Sequence, residues 1–233
     1  MKGSTAFRLA VFDVAGTTVL DGDAVVACLV SVLQKRIPVS TPDVMAVMGM
    51  PKPVAIRELL SASGVERRGA LDALVNEAHE EFRRAIIDRY RHGPLAPAEG
   101  VDRVFAALRG AGVRVALDTG FSRDILDVVI DRLGWSNGAI DFSIASDEVA
   151  NGRPKPDLIY RAMALAGVDD AVRVVKIGDT PSDMEQGLAA RCGRVVGVTY
   201  GTHSKEQLQR PGVHTIDRLT DLLPLLDVKA ASG

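Results

Sequence analysis

The stretch LAVFDVAGTT, residues 9–18, decides the fold class of this chain. Its four apolar residues are followed by the carboxylate Asp13, and the run ends at Gly16, a pattern typical of a buried strand that leads into a loop. Open α/β sheets bind their ligands in the crevice at the carboxyl ends of the strands. Asp13 is therefore predicted to face a binding site at the edge of such a sheet.

Further runs rich in β-branched and apolar residues have the length of buried strands: residues 113–117, 142–145, 172–177 and 194–198. Two of them lead into polar loops, Asp118-Thr119-Gly120 and Gly178-Asp179-Thr180. Helical spacing follows each loop, over residues 122–133 and 182–190. This alternation predicts an α/β fold with a doubly wound, mostly parallel sheet.

The segment between the first two predicted strands has a helical pattern instead. Its candidate helices cover residues 24–36, 53–62 and 69–91, and proline and glycine residues separate them. Because the segment is too large for a loop, we interpret residues 21–94 as an all-helical cap domain. The core domain would then consist of residues 1–20 and 95–233.

The composition limits the class of protein. With 233 residues, 47% of them hydrophobic, the chain can bury a substantial core, and a net charge of -2 gives no general attraction for nucleic acid or anionic membranes. No apolar run is long enough to cross a bilayer. Cys28 and Cys192 lie far apart in the sequence and indicate reduced thiols. We expect a cytoplasmic enzyme with a small-molecule substrate, and the sequence leaves a homodimer open.

The polar residues after the predicted strands form a consistent set, because a parallel sheet brings such positions to one edge. Carboxylates and backbone carbonyls are hard oxygen ligands that suit Mg²⁺. A hydroxyl, backbone amides and a guanidinium suit a tetrahedral oxyanion. Together they predict phosphoryl transfer through an aspartyl-phosphate. The residues concerned are Asp13, Thr119, Gly120, Arg153, Asp179 and Asp183.

The order and identity of these residues resemble the haloacid dehalogenase superfamily over nearly the whole chain. The resemblance implies that Asp13 is the nucleophile and that Thr119, Gly120 and Arg153 bind the phosphoryl group. It also implies a Mg²⁺ ion, held by Asp13, the backbone carbonyl of Ala15 and Asp179. Asp183 would be a further ligand, or would contact the ligands without binding the ion itself.

Two departures from the superfamily pattern indicate a particular branch. Ala15 stands where most members have a second aspartate, the general acid and base, and Arg153 stands where most have lysine. Both features resemble the sequences of the phosphonatase-like branch, whose members hydrolyse phosphonoacetaldehyde. The stretch Met48-Gly49-Met50-Pro51-Lys52 is similar to a motif of the same branch. The resemblance implies that Lys52 forms an imine (Schiff base) with the substrate, so that carbon can leave phosphorus without the second aspartate.

The local sequence supports a reactive Lys52. Pro53 is well placed as the first residue of a helix, so Lys52 is predicted near the capping position. The positive end of that helix and the apolar neighbours Met48 and Met50 would lower the pKa of the amine. Schiff-base formation needs a neutral amine.

The chain also departs from phosphonatases at three polar positions, now occupied by Asp23, Ala55 and Phe121. These departures favour a related 2-oxo-phosphonate or a different proton relay. Asp23 would supply such a relay if the cap folds it inward, and the alternative is that it caps the helix beginning at Ala24.

Three functions therefore stay open. The favoured one is a Mg²⁺-dependent hydrolase that cleaves the carbon–phosphorus bond of a small 2-oxo-phosphonate. The second is a phosphomonoesterase acting on a small phosphorylated metabolite, with water or a cap residue as the proton donor. The third is a non-catalytic phosphate-binding or regulatory protein that has lost its acid.

Overall fold

The computed structural model describes residues 6–64 and 68–229. Within this part of the chain the strands are β1 (Leu9–Phe12), β2 (Val19–Leu20), β3 (Ala96–Pro97), β4 (Arg114–Asp118), β5 (Phe142–Ile144), β6 (Val174–Gly178), β7 (Arg194–Val198) and β8 (Val213–Ile216). Six of them form one parallel sheet in the order β5-β4-β1-β6-β7-β8. The α/β fold class predicted from the sequence is confirmed.

The helices of the same residues are α1 (Ala24–Leu33), α2 (Thr41–Ala46), α3 (Lys52–Ala62), α4 (Arg68–His92), α5 (Val101–Gly110), α6 (Arg123–Leu133), α7 (Asp157–Ala166), α8 (Pro181–Ala189), α9 (Lys205–Leu208) and α10 (Leu222–Leu225).

Alternate side chains of β1 enter two different apolar clusters. Ala10 and Phe12 pack in one, and Leu9 and Val11 pack in the other, with residues of α7. Burial on both faces explains why β1 is a continuous apolar run.

The strand order reverses beside β1. The chain proceeds from β1 to β4 and β5 on one side, and then returns to β6, β7 and β8 on the other. The carboxyl ends of β1 and β6 therefore flank the switch point, which is where open α/β sheets form their binding crevice.

Helices α1–α4 occupy the predicted insertion. Within it α3 and α1 pack on α4, and α4 also contacts α6 of the sheet-bearing part. The chain leaves and re-enters that part through the short antiparallel pair β2–β3, in which Val19 pairs with Pro97 and Leu20 with Ala96. We propose that residues 21–94 act as a cap over the end of the sheet.

Several predicted boundaries need correction. Helix α1 ends at Leu33 rather than at residue 36, and α2 was not predicted, although Ser40 and Asp43 form a capping box at its start. Strand β6 begins at Val174, two residues late, because residues 171–173 form a 3₁₀ turn capped by Asp170. Helix α3 begins at Lys52, one residue before the predicted Pro53.

Among the described residues, no helix combines the length and the apolar character needed to cross a membrane. Cys28 and Cys192 are both free and only partly buried.

Candidate active site

Three buried carboxylates meet at the switch point of the sheet. Asp13 follows β1, Asp179 follows the adjacent β6, and Asp183 lies in the first turn of α8. One oxygen from each carboxylate lies within 4.8 Å of the others. Thr180 explains the position of Asp183, because the two residues form a capping box in which the Thr180 N–H donates to Asp183 Oδ2 at 3.2 Å and the Asp183 N–H donates to the Thr180 hydroxyl oxygen at 3.3 Å. The Thr180 hydroxyl also donates to Asp183 Oδ2 at 2.6 Å.

Asp179 is fixed by donors from two loops. Its Oδ1 accepts a hydrogen bond from the Thr17 hydroxyl at 3.0 Å, and its Oδ2 accepts one from the Thr202 backbone N–H at 2.7 Å. The loop that carries Thr17 is itself held by Tyr200, whose hydroxyl donates to the Thr17 carbonyl at 2.6 Å. Asp179 is therefore oriented before any ligand binds.

Arg153 is buried between two of the carboxylates. Its Nη2 donates to Asp13 Oδ1 at 2.6 Å, and its Nη1 donates to Asp183. Lys176, on β6, adds a second buried cation: it pairs with Asp118, and its Nζ lies 3.0 Å from Asp183 Oδ1. Lys176 was not predicted as a site residue, because it lies inside an otherwise apolar strand. The sequence did contain one sign of its role: a charged residue in a buried strand needs an oppositely charged partner, and none is present in the strand itself.

The three carboxylates carry more negative charge than the two buried cations neutralise, and the cations do not affect each carboxylate equally. Burial raises the pKa of Asp13 well above its usual range, the neighbouring carboxylates add to the rise, and Arg153 opposes it. Burial and Asp183 also raise the pKa of Asp179. Burial alone would raise the pKa of Asp183 too, but Arg153 and Lys176 lower it to about 2. A cation among three hard oxygen donors would relieve the remaining repulsion, so these residues fit a metal ion such as Mg²⁺.

Thr119 and Gly120 lie on the loop after β4, beside the cluster. Thr119 is buried, and its hydroxyl oxygen accepts the Phe121 N–H at 3.2 Å. Gly120 is required by a close approach of the insertion: a Cβ at this position would lie 2.6 Å from the Met50 carbonyl oxygen. Gly49 has a φ of +86°, and its Cβ would lie 2.2 Å from the Thr180 hydroxyl oxygen. The Met48–Lys52 segment thus packs directly on the core loops.

This close packing buries Lys52, which is only 4% exposed. Its Nζ donates to the Met50 carbonyl at 3.3 Å and lies 5.4 Å from the centre of the Phe121 ring. Burial and, to a lesser extent, the Arg153 guanidinium lower the pKa of Lys52 to about 8, although Asp13 and Asp21 act in the opposite direction. This raises the neutral fraction of the amine near pH 7 by about 300-fold relative to an ordinary lysine.

The remaining predicted positions have simpler roles in the structure. Ala15 lies in the turn after Asp13, where the Gly16 N–H donates to the Val19 carbonyl at 2.8 Å. Asp23 occupies the capping position of α1 in a left-handed conformation, but its side chain makes no capping hydrogen bond and is exposed. The helix-capping interpretation of Asp23 is therefore wrong, and its role in a proton relay stays a prediction. Ala55 is fully buried within α3.

The sequence model of the haloacid dehalogenase-like hydrolases matches residues 7–191, which include Lys52, Arg153 and the three carboxylates of the cluster. The chain belongs to this family. It is therefore a hydrolase with the sheet, the loops and the acidic cluster described above.

Similar proteins agree with this assignment. The hydrolase is 31% identical over 204 residues to a phosphonoacetaldehyde hydrolase from Bacillus cereus, in a match that covers 82% of this chain and 75% of the relative. A phosphonoacetaldehyde hydrolase-like protein from Oleispira antarctica has a TM-score of 0.80 at 20% identity, covering 97% and 94% of the two chains. A putative phosphoglycolate phosphatase from Lactobacillus delbrueckii subsp. bulgaricus has a TM-score of 0.74 at 22% identity, covering 95% and 97%.

Proposed function

We propose that this hydrolase cleaves the carbon–phosphorus bond of a small 2-oxo-phosphonate similar to phosphonoacetaldehyde. The observation that carries the proposal is the burial of Lys52, with a pKa of about 8, in the group that includes Asp13 and Arg153. A neutral, enclosed amine is suited to condense with a carbonyl. The similarity to a relative named phosphonoacetaldehyde hydrolase supports the same substrate class.

In the proposed reaction, the Lys52 amine condenses with the substrate carbonyl, and water leaves. The iminium then accepts the electron pair of the carbon–phosphorus bond. An Asp13 oxygen attacks phosphorus, so that an O–P bond forms as the C–P bond breaks and the organic fragment departs as an enamine. The Arg153 guanidinium, already 2.6 Å from Asp13 Oδ1, would balance charge on the transferring phosphoryl group.

Water completes the cycle by attacking the aspartyl-phosphate, which releases inorganic phosphate and regenerates Asp13. Protonation of the enamine carbon and hydrolysis of the imine release the carbonyl product and free Lys52. The enamine leaves without protonation of an oxygen, so the methyl group of Ala15 is no obstacle to this cleavage. An ester oxygen, in contrast, needs a proton as it leaves.

We propose that Asp13, Asp179, Asp183 and the Ala15 carbonyl hold Mg²⁺. The ion would supply positive charge next to the phosphoryl oxygens. Thr17 and Thr202 keep Asp179 oriented for this role, since each donates a hydrogen bond to one of its oxygens.

The function is tested by comparing phosphonates with esters. We expect the hydrolase to release phosphate from phosphonoacetaldehyde or 2-oxopropylphosphonate with a kcat/KM at least ~100-fold above that for phosphate esters of similar size. The reason is that the methyl group of Ala15 cannot protonate the leaving oxygen of an ester. The measurement is free phosphate over time with Mg²⁺ present. Efficient ester hydrolysis without phosphonate cleavage would favour the phosphomonoesterase, the function named for the Lactobacillus delbrueckii neighbour. No turnover of either class would contradict both.

Removal of the metal gives a second test. We expect EDTA to abolish phosphate release and added Mg²⁺ to restore it, because the ion would supply positive charge next to the phosphoryl oxygens that Asp13 attacks. Mg²⁺ should also raise the melting temperature of the resting protein by several degrees, since a ligand at 100 times its Kd stabilises the folded state by about 2.7 kcal/mol. The matched control is Asp179→Asn, which should lose this thermal shift. Full activity in excess chelator would refute the assignment.

A further inference from the structure

A cavity of about 230 Å³ is lined by residues of the segments that carry Asp13 and Lys52, and its only charged lining groups within the described residues are carboxylates. Ala15 and Gly16 line one end, and Met48, from the segment that carries Lys52, lines another part. Among the described residues, its lining includes two carboxylates, Asp21 and Asp23, and no lysine, arginine or histidine.

Asp21 is a fixed part of this wall. It is only 8% exposed, and its Oδ2 accepts a hydrogen bond from the fully buried Tyr90 hydroxyl at 2.8 Å. Within the described part of the chain, its Oδ1 has no hydrogen-bond donor. Tyr90 is in turn held by Phe121, whose ring packs edge-to-face with it at 6.0 Å between centroids. The carboxylate is therefore buried, oriented and in contact with the cavity.

A row of contacting side chains joins Asp21 to Lys52. Phe121 contacts both Tyr90 and the Lys52 amine, so Asp21, Tyr90, Phe121 and Lys52 form one continuous group. Both Asp13 and Asp21 act electrostatically on Lys52. A substrate with phosphorus at Asp13 and its carbonyl carbon at Lys52 would direct its remaining substituent into the space that Asp21 faces.

We propose that Asp21 is a specificity-determining residue that restricts the substrate to oxo-phosphonates whose carbonyl carbon carries an uncharged substituent. A carboxylate on that carbon would be placed near the buried negative charge of Asp21, with no cation in the cavity wall to compensate it. Charge repulsion at such a site is weakly screened by solvent. This inference rests on the proposed function, because it assigns the substrate's orientation from Asp13 and Lys52.

The test compares phosphonoacetaldehyde with 3-phosphonopyruvate, which differ by a carboxylate on the carbonyl carbon. We expect the wild-type hydrolase to favour the aldehyde in kcat/KM, and Asp21→Asn to reduce the ratio at least ~10-fold, because asparagine keeps the shape and removes the charge. Tyr90→Phe removes the hydrogen bond but not the charge, so it should retain most of the discrimination even if both rates fall. Asp23→Asn is the matched control, and its exposed, solvent-screened carboxylate should change the ratio less.

An Asp21→Asn protein that loses rate equally on both substrates would overturn the inference, because a purely structural role predicts that result. A wild-type preference for 3-phosphonopyruvate would overturn it as well. If neither compound releases phosphate, the proposed function fails, and the inference is then decided by Kd values of the two compounds, measured by calorimetry in Mg²⁺ for the wild-type and Asp21→Asn proteins. The inference predicts that the wild type binds 3-phosphonopyruvate more weakly than phosphonoacetaldehyde, and that Asp21→Asn removes this difference.

Discussion

Replacing Asp13 with asparagine is expected to lower kcat by ~10³-fold or more and to prevent formation of a phosphorylated enzyme. The substitution keeps the shape of the side chain but removes the oxygen that attacks phosphorus. It also weakens the contact with Arg153, whose Nη2 lies 2.6 Å from Asp13 Oδ1. The measurements are single-turnover phosphate release and the mass of the acid-quenched protein.

The fold should survive this substitution, because Asp13 follows β1 rather than filling either apolar cluster. Loss of one negative charge from the carboxylate cluster also reduces its internal repulsion. The matched control is Asp169→Asn, at an exposed carboxylate on the core, which should retain wild-type kcat. An Asp13→Asn protein that is folded and keeps more than about one per cent of wild-type activity would exclude Asp13 as the nucleophile.

The sheet was predictable because its strands carry a strong local signal. A central parallel strand is buried on both faces, so β1 is a continuous apolar run and β6 is an apolar run interrupted by Lys176, and each is followed by a polar loop. The boundaries were less predictable. Val172 is β-branched but lies in a 3₁₀ turn and is largely exposed, since the Asp170 side chain accepts its N–H at 3.0 Å. Such local competition between a cap and a strand is not visible in residue type alone.

The sequence also predicted which site residues follow strands, and the structure brings Asp13, Asp179 and Asp183 together as expected. Residues whose role depends on a distant partner were missed. Lys176 pairs with Asp118, 58 positions away, and Tyr90 with Asp21, 69 positions away. No local pattern marks such pairs, because helix α4 and strand β6 reach their partners only through tertiary packing. Asp23 shows the converse error, since a plausible capping position left its side chain exposed.

The position of Lys52 unites the fold with the proposed chemistry. The Met50 carbonyl that accepts from Lys52 Nζ is the same group that lies against Gly120. The amine is therefore held where the insertion contacts the loop after β4, which is predicted to bind the phosphoryl group, and this contact removes the amine from solvent. Because burial is the main cause of the lowered pKa of Lys52, the packing of the insertion on this loop favours the neutral amine that the proposed chemistry needs.

The last prediction follows from this placement of Lys52. We expect Lys52→Arg to abolish carbon–phosphorus cleavage, because arginine keeps a positive charge but does not condense with a carbonyl. In the wild-type protein, borohydride added with 2-oxopropylphosphonate should reduce the imine to a stable amine. Mass spectrometry should then find the added mass in the tryptic peptide of residues 37–57, since the Lys52-Pro53 bond resists trypsin. The wild-type rate should rise with pH through about 8, as the amine loses its proton.

Lys155→Arg is the matched control, because Lys155 is exposed and lies two residues beyond Arg153. It should retain both phosphate release and borohydride trapping. If the Lys52→Arg protein released phosphate from its best substrate at a near wild-type rate, an imine at this position would be refuted and the phosphomonoesterase would become the favoured function. If that protein lost phosphate release while the wild type gave no trapped adduct, Lys52 would have a non-covalent role that the charge of arginine does not replace, and the imine would be contradicted. Loss of both properties in Lys52→Arg, with both retained in Lys155→Arg, is the result that only covalent participation of Lys52 explains.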